Sequence, residues 1–173
     1  DPPSKKNLVN LMENDFRVER ISVESNFIDL KYDGLNFSSK QLNLLSKVSE
    51  NIQRLDLSNV DISNINSSKL KKLENLKYLN LTNSNLSTND LNNLPESIEI
   101  LILSKNIINP EELLNISSRP QIKKVFAYNT IQDNELKKSL TDQSNDKLYF
   151  GISLQDFSSL EGFPLERPII NAN

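Results

Sequence analysis

Residues 52–62 read IQRLDLSNVDI, residues 76–86 read LKYLNLTNSNL, and residues 98–108 read IEILILSKNII. All three segments carry an aliphatic residue at their positions 1, 4, 6 and 11. They begin 24 and 22 residues apart, and an apolar run that arose by chance has no reason to recur in phase. The chain therefore contains an internal repeat of about this length.

The shared frame resembles the leucine-rich repeat, whose pattern is L-x-x-L-x-L-x-x-N-x-L. In that repeat class a short strand ends in a sharp turn near the Asn position. The resemblance implies an α/β solenoid that has a parallel concave sheet of about six strands, with short helices or 3-10 turns on its convex side. Weaker copies begin near residues 25, 122 and 149, so six repeats are predicted over residues 25–159.

The two ends of such a stack expose apolar surface and need covers. Residues 1–24 are predicted to form the N-terminal cap, because four apolar residues in its first part have the spacing of one helical face and the chain then alternates. These four residues are Leu8, Leu11, Met12 and Phe16. The same helix could instead bind a partner. Residues 160–173 are predicted to be either an irregular C-terminal cap or a linker to a further domain.

Helix-start signals lie between the repeats, where the return segments are expected. Ser38 and Gln41 have the spacing of a capping box, in which each side chain bonds the backbone of the other residue. Asn109 precedes Pro110, which combines a capping side chain with the proline that helices favour at their first position. Asp133 begins a similar segment. The shorter returns of the second and third copies predict single turns or 3-10 pieces.

The missing residue types narrow the chemistry. The 173 residues include no Cys and no His, which excludes disulfides, thiolate and imidazole metal ligands, and any mechanism with either residue as nucleophile or base. Three Gly leave little room for a phosphate-binding loop. Paired acidic residues, such as Asp29 with Asp56, lack supporting ligands. We therefore expect no enzyme activity, no cofactor and no metal.

The charge and hydropathy patterns argue against two classes of partner. With a net charge of −3 and a pI near 5.1, the chain has no overall positive field to attract a nucleic acid. No apolar run approaches the roughly 18 residues of a membrane span, so no membrane insertion of this chain is expected.

Two observations bear on the source. The chain begins Asp1-Pro2-Pro3 without a Met, which is typical of a trimmed or processed product, and any export signal could have been removed with the missing part. It also contains 25 Asn, and with its many Lys and Ile this is typical of AT-rich coding. A secreted or cell-surface protein of an AT-rich microbe that engages a host is therefore favoured, and a cytoplasmic location is the alternative.

The residues between the framework positions should form the concave face, because side chains alternate along a strand. In the third to fifth repeats these residues are apolar or aromatic, and neighbouring strands lie only about 4.8 Å apart. They predict one exposed patch made of Tyr78, Ile100, Ile102, Phe126 and Tyr128. Its predicted polar rim consists of Arg54, Asp56, Lys105 and Lys124. Because exposed apolar clusters commonly mark interaction sites, a protein partner is predicted here.

Two alternatives concern this patch. The chain itself could cover it. The fifth copy could also be shifted by one residue, so that Phe126, Asn129 and Ile131 would fit the motif and the two faces of that strand would exchange. The unshifted frame is preferred, because the shifted one places Lys124 in the core.

The leading functional hypothesis is a non-enzymatic module that binds another protein on its concave face. An intracellular regulatory or scaffold subunit is the runner-up, and a structural spacer for another domain is a third hypothesis. An exposed apolar sheet can also pair with a second copy, so a homodimer through the patch is a further expectation. The identity of the partner does not follow from the residues.

Overall fold

The computed structural model describes residues 1–151 of the chain. The described residues form five helices, α1 Lys5–Met12, α2 Ser39–Ser46, α3 Thr88–Asn92, α4 Pro110–Ser117 and α5 Asn134–Gln143. Their seven strands are β1 Phe16–Arg20, β2 Ile28–Tyr32, β3 Ile52–Asp56, β4 Tyr78–Asn80, β5 Ile100–Ile102, β6 Lys124–Phe126 and β7 Leu148–Tyr149. Short 3-10 turns at Ser49–Asn51 and Ser67–Lys72 supplement the helices.

The seven strands make one mixed sheet in which order in space equals order in the chain, from β1 to β7. Strands β2 to β7 are parallel to one another, while β1 pairs with β2 in the antiparallel direction. A parallel pair needs a crossover connection, and the helices and 3-10 turns provide it here. Within residues 1–151 the sheet therefore has its edges at β1 and β7, and these strands do not close into a barrel.

The repeated frame fixes the register of the central strands. Leu55 pairs with Leu79, Leu79 with Leu101, and Leu101 with Val125. These residues occupy position 4 of successive copies, and all four are fully buried. The fifth copy therefore has the unshifted frame, because Val125 enters the core and Lys124 does not.

The sixth copy begins earlier than the sequence predicts. Leu148 pairs with Val125 and Tyr149 with Phe126, so Leu148 takes the core position assigned to Ile152, four residues further on. The physical reason is the short turn after α5, where Asn145 and Asp146 have left-handed φ values of 52° and 58° and return the chain to the sheet at once. The rest of the predicted sixth copy lies outside the described residues, as does the predicted C-terminal cap or linker.

The turns that follow β3, β4, β5 and β6 share one backbone conformation. Position 8 of four successive copies has a positive φ of 50° to 60°. These residues are Asn59, Asn83, Lys105 and Asn129. Asn tolerates this left-handed conformation better than other non-glycine residues, which explains its recurrence in a chain with three Gly.

Asn106, which follows Lys105, connects two copies through hydrogen bonds of its buried side chain. Its Nδ2 donates to the carbonyl oxygens of Leu81 at 2.7 Å, Leu103 at 2.9 Å and Ser104 at 3.2 Å. Its Oδ1 accepts from the backbone N–H of Ser84 at 3.0 Å. The amide therefore satisfies backbone groups that the turn removes from the sheet ladder.

The predicted helix-start signals are confirmed. Ser38 and Gln41 form a reciprocal capping box at α2, and Asn109 accepts from the N–H of Glu111 at the start of α4. Asp133 caps α5 by accepting from the N–H of Leu136 at 2.8 Å. Capping residues satisfy N–H groups that have no partner inside the helix, so these signals place the return segments in the sequence.

The N-terminal segment is a helix followed by a strand, but the helix is shorter than predicted. It ends at Met12, and Asp15 with a φ of 67° redirects the chain, so that Phe16 begins β1 instead of completing the helical face. Phe16 is buried against the ring of Tyr32, with ring centroids 5.1 Å apart. Met12 is exposed, contrary to its predicted place on the buried face.

The main core lies between one face of the sheet and the helices. Sheet residues such as Leu55 and Leu101 pack there with helix residues such as Leu45, Leu113 and Leu140. Since side chains alternate along each strand, the remaining strand residues lie on the other side of the sheet. We call that side the second face.

Candidate functional site

The second face presents two rows of side chains that run across the strands. The first row consists of Asp29, Arg54, Tyr78, Ile100 and Lys124, and the second of Lys31, Asp56, Asn80, Ile102, Phe126 and Tyr149. Charged residues occupy the part of both rows near β2 and β3. Apart from Asn80 and Lys124, the residues that follow on β4 to β7 are apolar or aromatic, so the face has a charged half and a mainly apolar half.

The apolar half is a distinct cluster, separate from the main core. It consists of Tyr78, Ile100, Ile102 and Phe126, and Tyr149 packs against it. The rings of Phe126 and Tyr149 lie 5.4 Å apart between centroids. We call these five residues the second-face cluster. Four of them are residues of the patch that the sequence predicts.

The four innermost members are withdrawn from solvent, although the sequence predicts an exposed patch. Between 1% and 9% of the surface of each remains accessible, with Ile100 at the lower limit. Within residues 1–151, these four side chains are therefore buried, and the exposure that the sequence predicts for them is not seen.

Tyr128, the fifth residue of the predicted patch, does not join the second-face cluster. It lies two residues beyond the end of β6 and is 40% exposed. Its backbone carbonyl accepts from the N–H of Lys105 at 2.7 Å, and its own N–H donates to Ser104 Oγ at 3.2 Å. Tyr128 and the exposed Lys105 thus lie together on neighbouring turns, beyond the ends of β5 and β6.

Ion pairs organise the charged half. Arg54 lies 3.5 Å from Asp29, and Lys31 lies 3.5 Å from Asp56, so each basic residue pairs with an acidic residue of the adjacent strand. The Arg54 guanidinium also lies over the ring of Tyr78, 4.8 Å from its centroid. This cation–π contact joins the charged half to the second-face cluster. The predicted rim residues Arg54 and Asp56 therefore border the cluster on one side.

Lys124 borders the cluster on the opposite side. Its Nζ lies 4.2 Å from the centroid of the Tyr149 ring and donates to the hydroxyl of the same residue. It also donates to the carbonyl oxygen of Asp146 at 3.3 Å. Sequence reasoning missed Tyr149 because it was assigned to the first position of the sixth copy. Its aromatic character next to Leu148, an apolar residue that fits position 4, was the available signal.

A second electrostatic feature lies just before the strands. The Glu99 carboxylate forms two ion pairs, with Lys77 Nζ at 3.1 Å and with Lys123 Nζ at 2.7 Å. The two lysines belong to the copies on either side of the one that contains Glu99. Burial alone would raise the pKa of Glu99, but hydrogen bonds and charges from Lys123 and Lys77 outweigh it, so the pKa lies below its ordinary value of 4.5. Glu99 therefore remains ionised and links three copies.

The helix side has a cleft of about 390 Å³ bordered by Glu74, Glu96 and Arg119. Arg119 donates to the carbonyl oxygens of Leu91 at 3.1 Å and Leu94 at 3.4 Å. Its guanidinium therefore satisfies backbone acceptors of the preceding copy. Burial lowers the pKa of Arg119, while the charge of Glu96 opposes that shift. These contacts give the arginine a structural role.

The described residues contain no grouping of three or more acidic, His or Cys side chains that could hold a metal ion. Asp29 and Asp56, the acidic pair on the second face, each face a basic partner instead. Within residues 1–151, none of the helices has the length and apolar character needed to cross a bilayer.

Comparison with known proteins leaves the chain without a family assignment. No protein-family model matches the sequence, and no curated protein matches it. The geometry of the second face is therefore the basis for inferring a function.

Proposed function

We propose that the chain is a leucine-rich-repeat protein whose second face, the concave face of the solenoid, binds another protein without catalysing a reaction. The observation that carries this proposal is the second-face cluster. It gathers two isoleucines and three aromatic residues from four successive strands, outside the main core.

The chemistry of the cluster suits a protein ligand. Tyr and Phe are frequent anchors of protein interfaces, and Arg is enriched there as well. Arg54 and Lys124 lie on opposite borders, so a segment that crosses the strands would meet apolar side chains at its centre and charged side chains on both sides. A sheet that is already formed loses little entropy on docking, which favours affinity.

The non-enzymatic part of the proposal has separate support. The sequence includes no Cys or His, and the acidic residues of the second face are held in ion pairs. General acid–base chemistry requires a titratable group with access to a substrate, and these carboxylates are already engaged by basic partners.

The experiment that tests the proposal uses the full chain as bait. Proteins retained from an extract of the source organism would be identified by quantitative mass spectrometry, and each one purified and titrated against variants. Ile102→Ser and Phe126→Ser should weaken binding by at least about tenfold, which corresponds to about 1.4 kcal/mol. Ile107→Ser is the matched control, because Ile107 is 98% exposed in the turn after β5 and lies outside the second face.

Melting curves recorded by circular dichroism would check that each variant is folded before binding is compared. Equal affinity of the wild type, Ile102→Ser and Phe126→Ser for every retained protein would refute the proposed face. A loss confined to Ile107→Ser would move the binding site to the turns.

A further inference from the structure

The first strand, β1, is an edge of the described sheet, and the hydrogen bonds at its two ends show which of its backbone groups face outward. Asp33 N–H donates to the carbonyl oxygen of Asp15 at 2.9 Å. Ile21 N–H donates to the carbonyl oxygen of Phe27 at 3.3 Å. Hydrogen-bonded pairs alternate with non-hydrogen-bonded pairs along an antiparallel ladder, so the odd-numbered residues of β1 bond β2. The N–H and C=O groups of the even-numbered residues therefore point away from β2, and these residues are Phe16, Val18 and Arg20.

These outward backbone groups form no hydrogen bond within residues 1–151. Such a row of donors and acceptors is a template on which another strand can pair. Charged side chains on an edge strand commonly discourage this pairing, and β1 contains Arg17, Glu19 and Arg20. Their effect depends on the signs of the charges that the added strand brings opposite them.

A second copy of β1 is a strand whose charges fit this edge. In an antiparallel pair centred on Val18, the outward residues of the two copies meet in three hydrogen-bonded pairs, each of which exchanges two bonds. Arg17 of each copy then lies opposite Glu19 of the other, in a non-hydrogen-bonded pair, where side chains approach most closely. Opposite charges placed directly across two strands stabilise their pairing. Arg17 also lies 2.7 Å from Asp33 of its own chain, so the contact between copies would extend an existing ion pair.

Other registers of the same pairing are less favourable. A slide of one residue sets the outward groups opposite groups that already bond β2. A slide of two residues in one direction places Arg17 opposite Arg17 of the second copy, and in the other direction Glu19 opposite Glu19. Like charges directly opposite each other destabilise a pair of strands, and both slides shorten the overlap. Full overlap and opposite charges therefore coincide in one register.

The helix α1 offers a second contact at this edge. Asn7, on one flank of α1, donates to the carbonyl oxygen of Lys47, just beyond α2, at 3.2 Å. Since each residue of a helix turns by about 100°, Val9 and Met12 lie on the opposite flank, and they are 37% and 53% exposed. A two-fold axis perpendicular to the sheet would place α1 of both copies on the same side of the joined sheet. Apolar contact between the two flanks would withdraw these side chains from water.

We propose that two copies of the chain pair through β1 in this register, so that their two sheets join into one. The pairing does not rest on the function proposed above. It also differs from the homodimer through the concave patch that the sequence predicts, because both second faces lie outside the contact. The joined sheet would present two second faces on one side, and a partner with two binding sites would be held more tightly than by a single copy.

Sedimentation velocity of the full chain measures the association, and two charge reversals test the register. Arg17→Glu gives each copy two negative charges in the contact, and Glu19→Arg gives each copy two positive charges. Each variant alone should dimerise about tenfold more weakly than the wild type, because two attractive pairs become repulsive. Lys138→Glu and Glu135→Arg are the matched controls, since they make the same changes at exposed positions of α5 and should leave the dimer unchanged.

An equimolar mixture of the two charge variants should dimerise as strongly as the wild type, because every cross-strand pair again joins opposite charges. A wild type that stays monomeric up to about 1 mM would overturn the proposal. Charge variants that dimerise as strongly as the wild type would also overturn it, because the contact would then lie elsewhere. A mixture that fails to regain the dimer contradicts the register and with it the proposal. Melting curves recorded by circular dichroism check that each variant is folded.

Hydrogen exchange of the wild type, followed by NMR, tests the same contact without any substitution. The outward amides of Phe16, Val18 and Arg20 should exchange several-fold more slowly as the protein concentration rises from dilute to about 1 mM. The amide of Val125 is the internal control, because it donates to the carbonyl oxygen of Lys147 at 2.8 Å and should stay protected at every concentration. Exchange of the outward amides that does not depend on concentration would overturn the proposal.

Discussion

Replacing Asn106 by Ala tests whether a single buried amide joins neighbouring copies. The side chain donates two hydrogen atoms to three carbonyl oxygens and accepts one bond from Ser84 N–H. Alanine removes these bonds and leaves the backbone groups buried, since Ser84 itself is fully buried. Two donated bonds and one accepted bond, each worth about 1 kcal/mol net, predict a loss of about 3 kcal/mol.

For a chain of this size, 1 kcal/mol corresponds to about 2–4 °C in melting temperature. Asn106→Ala should therefore lower the melting temperature by about 6–12 °C in thermal unfolding followed by circular dichroism. Urea unfolding should show the same loss as a lower midpoint with an unchanged slope. Asn115→Ala, at an exposed position of α4, is the matched control and should change stability by less than about 0.5 kcal/mol. A melting temperature of Asn106→Ala within 2 °C of the wild type would refute the reasoning.

Three further substitutions test other parts of the fold. Lys105→Asn should stabilise the protein by about 0.5–1 kcal/mol in urea unfolding, because Asn better tolerates the left-handed turn; a loss of stability would contradict this. Leu101→Ala should cost about 2–5 kcal/mol in the same assay, and Leu35→Ala, at a fully exposed residue, almost nothing; similar costs would show that β5 is not central to the core. Glu99 has a lowered pKa, so its contribution to stability is complete above pH 4.5 and is lost as the pH falls through the folded-state value. Glu99→Gln should therefore lose less melting temperature than the wild type between pH 7 and pH 3, and parallel losses would argue against this contribution.

The central part of the fold could be predicted because local and long-range signals coincide there. Leu101 and Asn106 occupy fixed positions of one frame, and the same frame sets both the buried face of β5 and its register with β4. A one-residue shift would exchange the two faces of the strand, and Leu101, Leu103 and Asn106 together fit the motif in one frame. Helix starts were equally accessible, since capping residues act on backbone groups only a few positions away.

The end of the first helix and the burial of the second-face residues could not be predicted in the same way. Phe16 has the spacing of a helical residue, but the helix ends at Met12 and the chain changes direction at Asp15. The pattern of apolar residues does not indicate this change. Similarly, the alternation of β5 assigns Ile100 and Ile102 to the second face, but it contains no information on what lies above them. Burial of the cluster depends on tertiary contacts, which a single repeat does not encode.

The order of the strands has a consequence for how the protein forms during synthesis. Each strand of the described sheet pairs with strands that are its neighbours along the chain. Because a ribosome releases the N-terminal part first, β1 and β2 can pair before the rest of the chain exists, and every later strand emerges beside an edge that is already formed. Each strand of the described sheet can therefore pair as soon as it is synthesised, because its partner precedes it in the chain. A nascent chain stalled after β4 should already contain a folded N-terminal half.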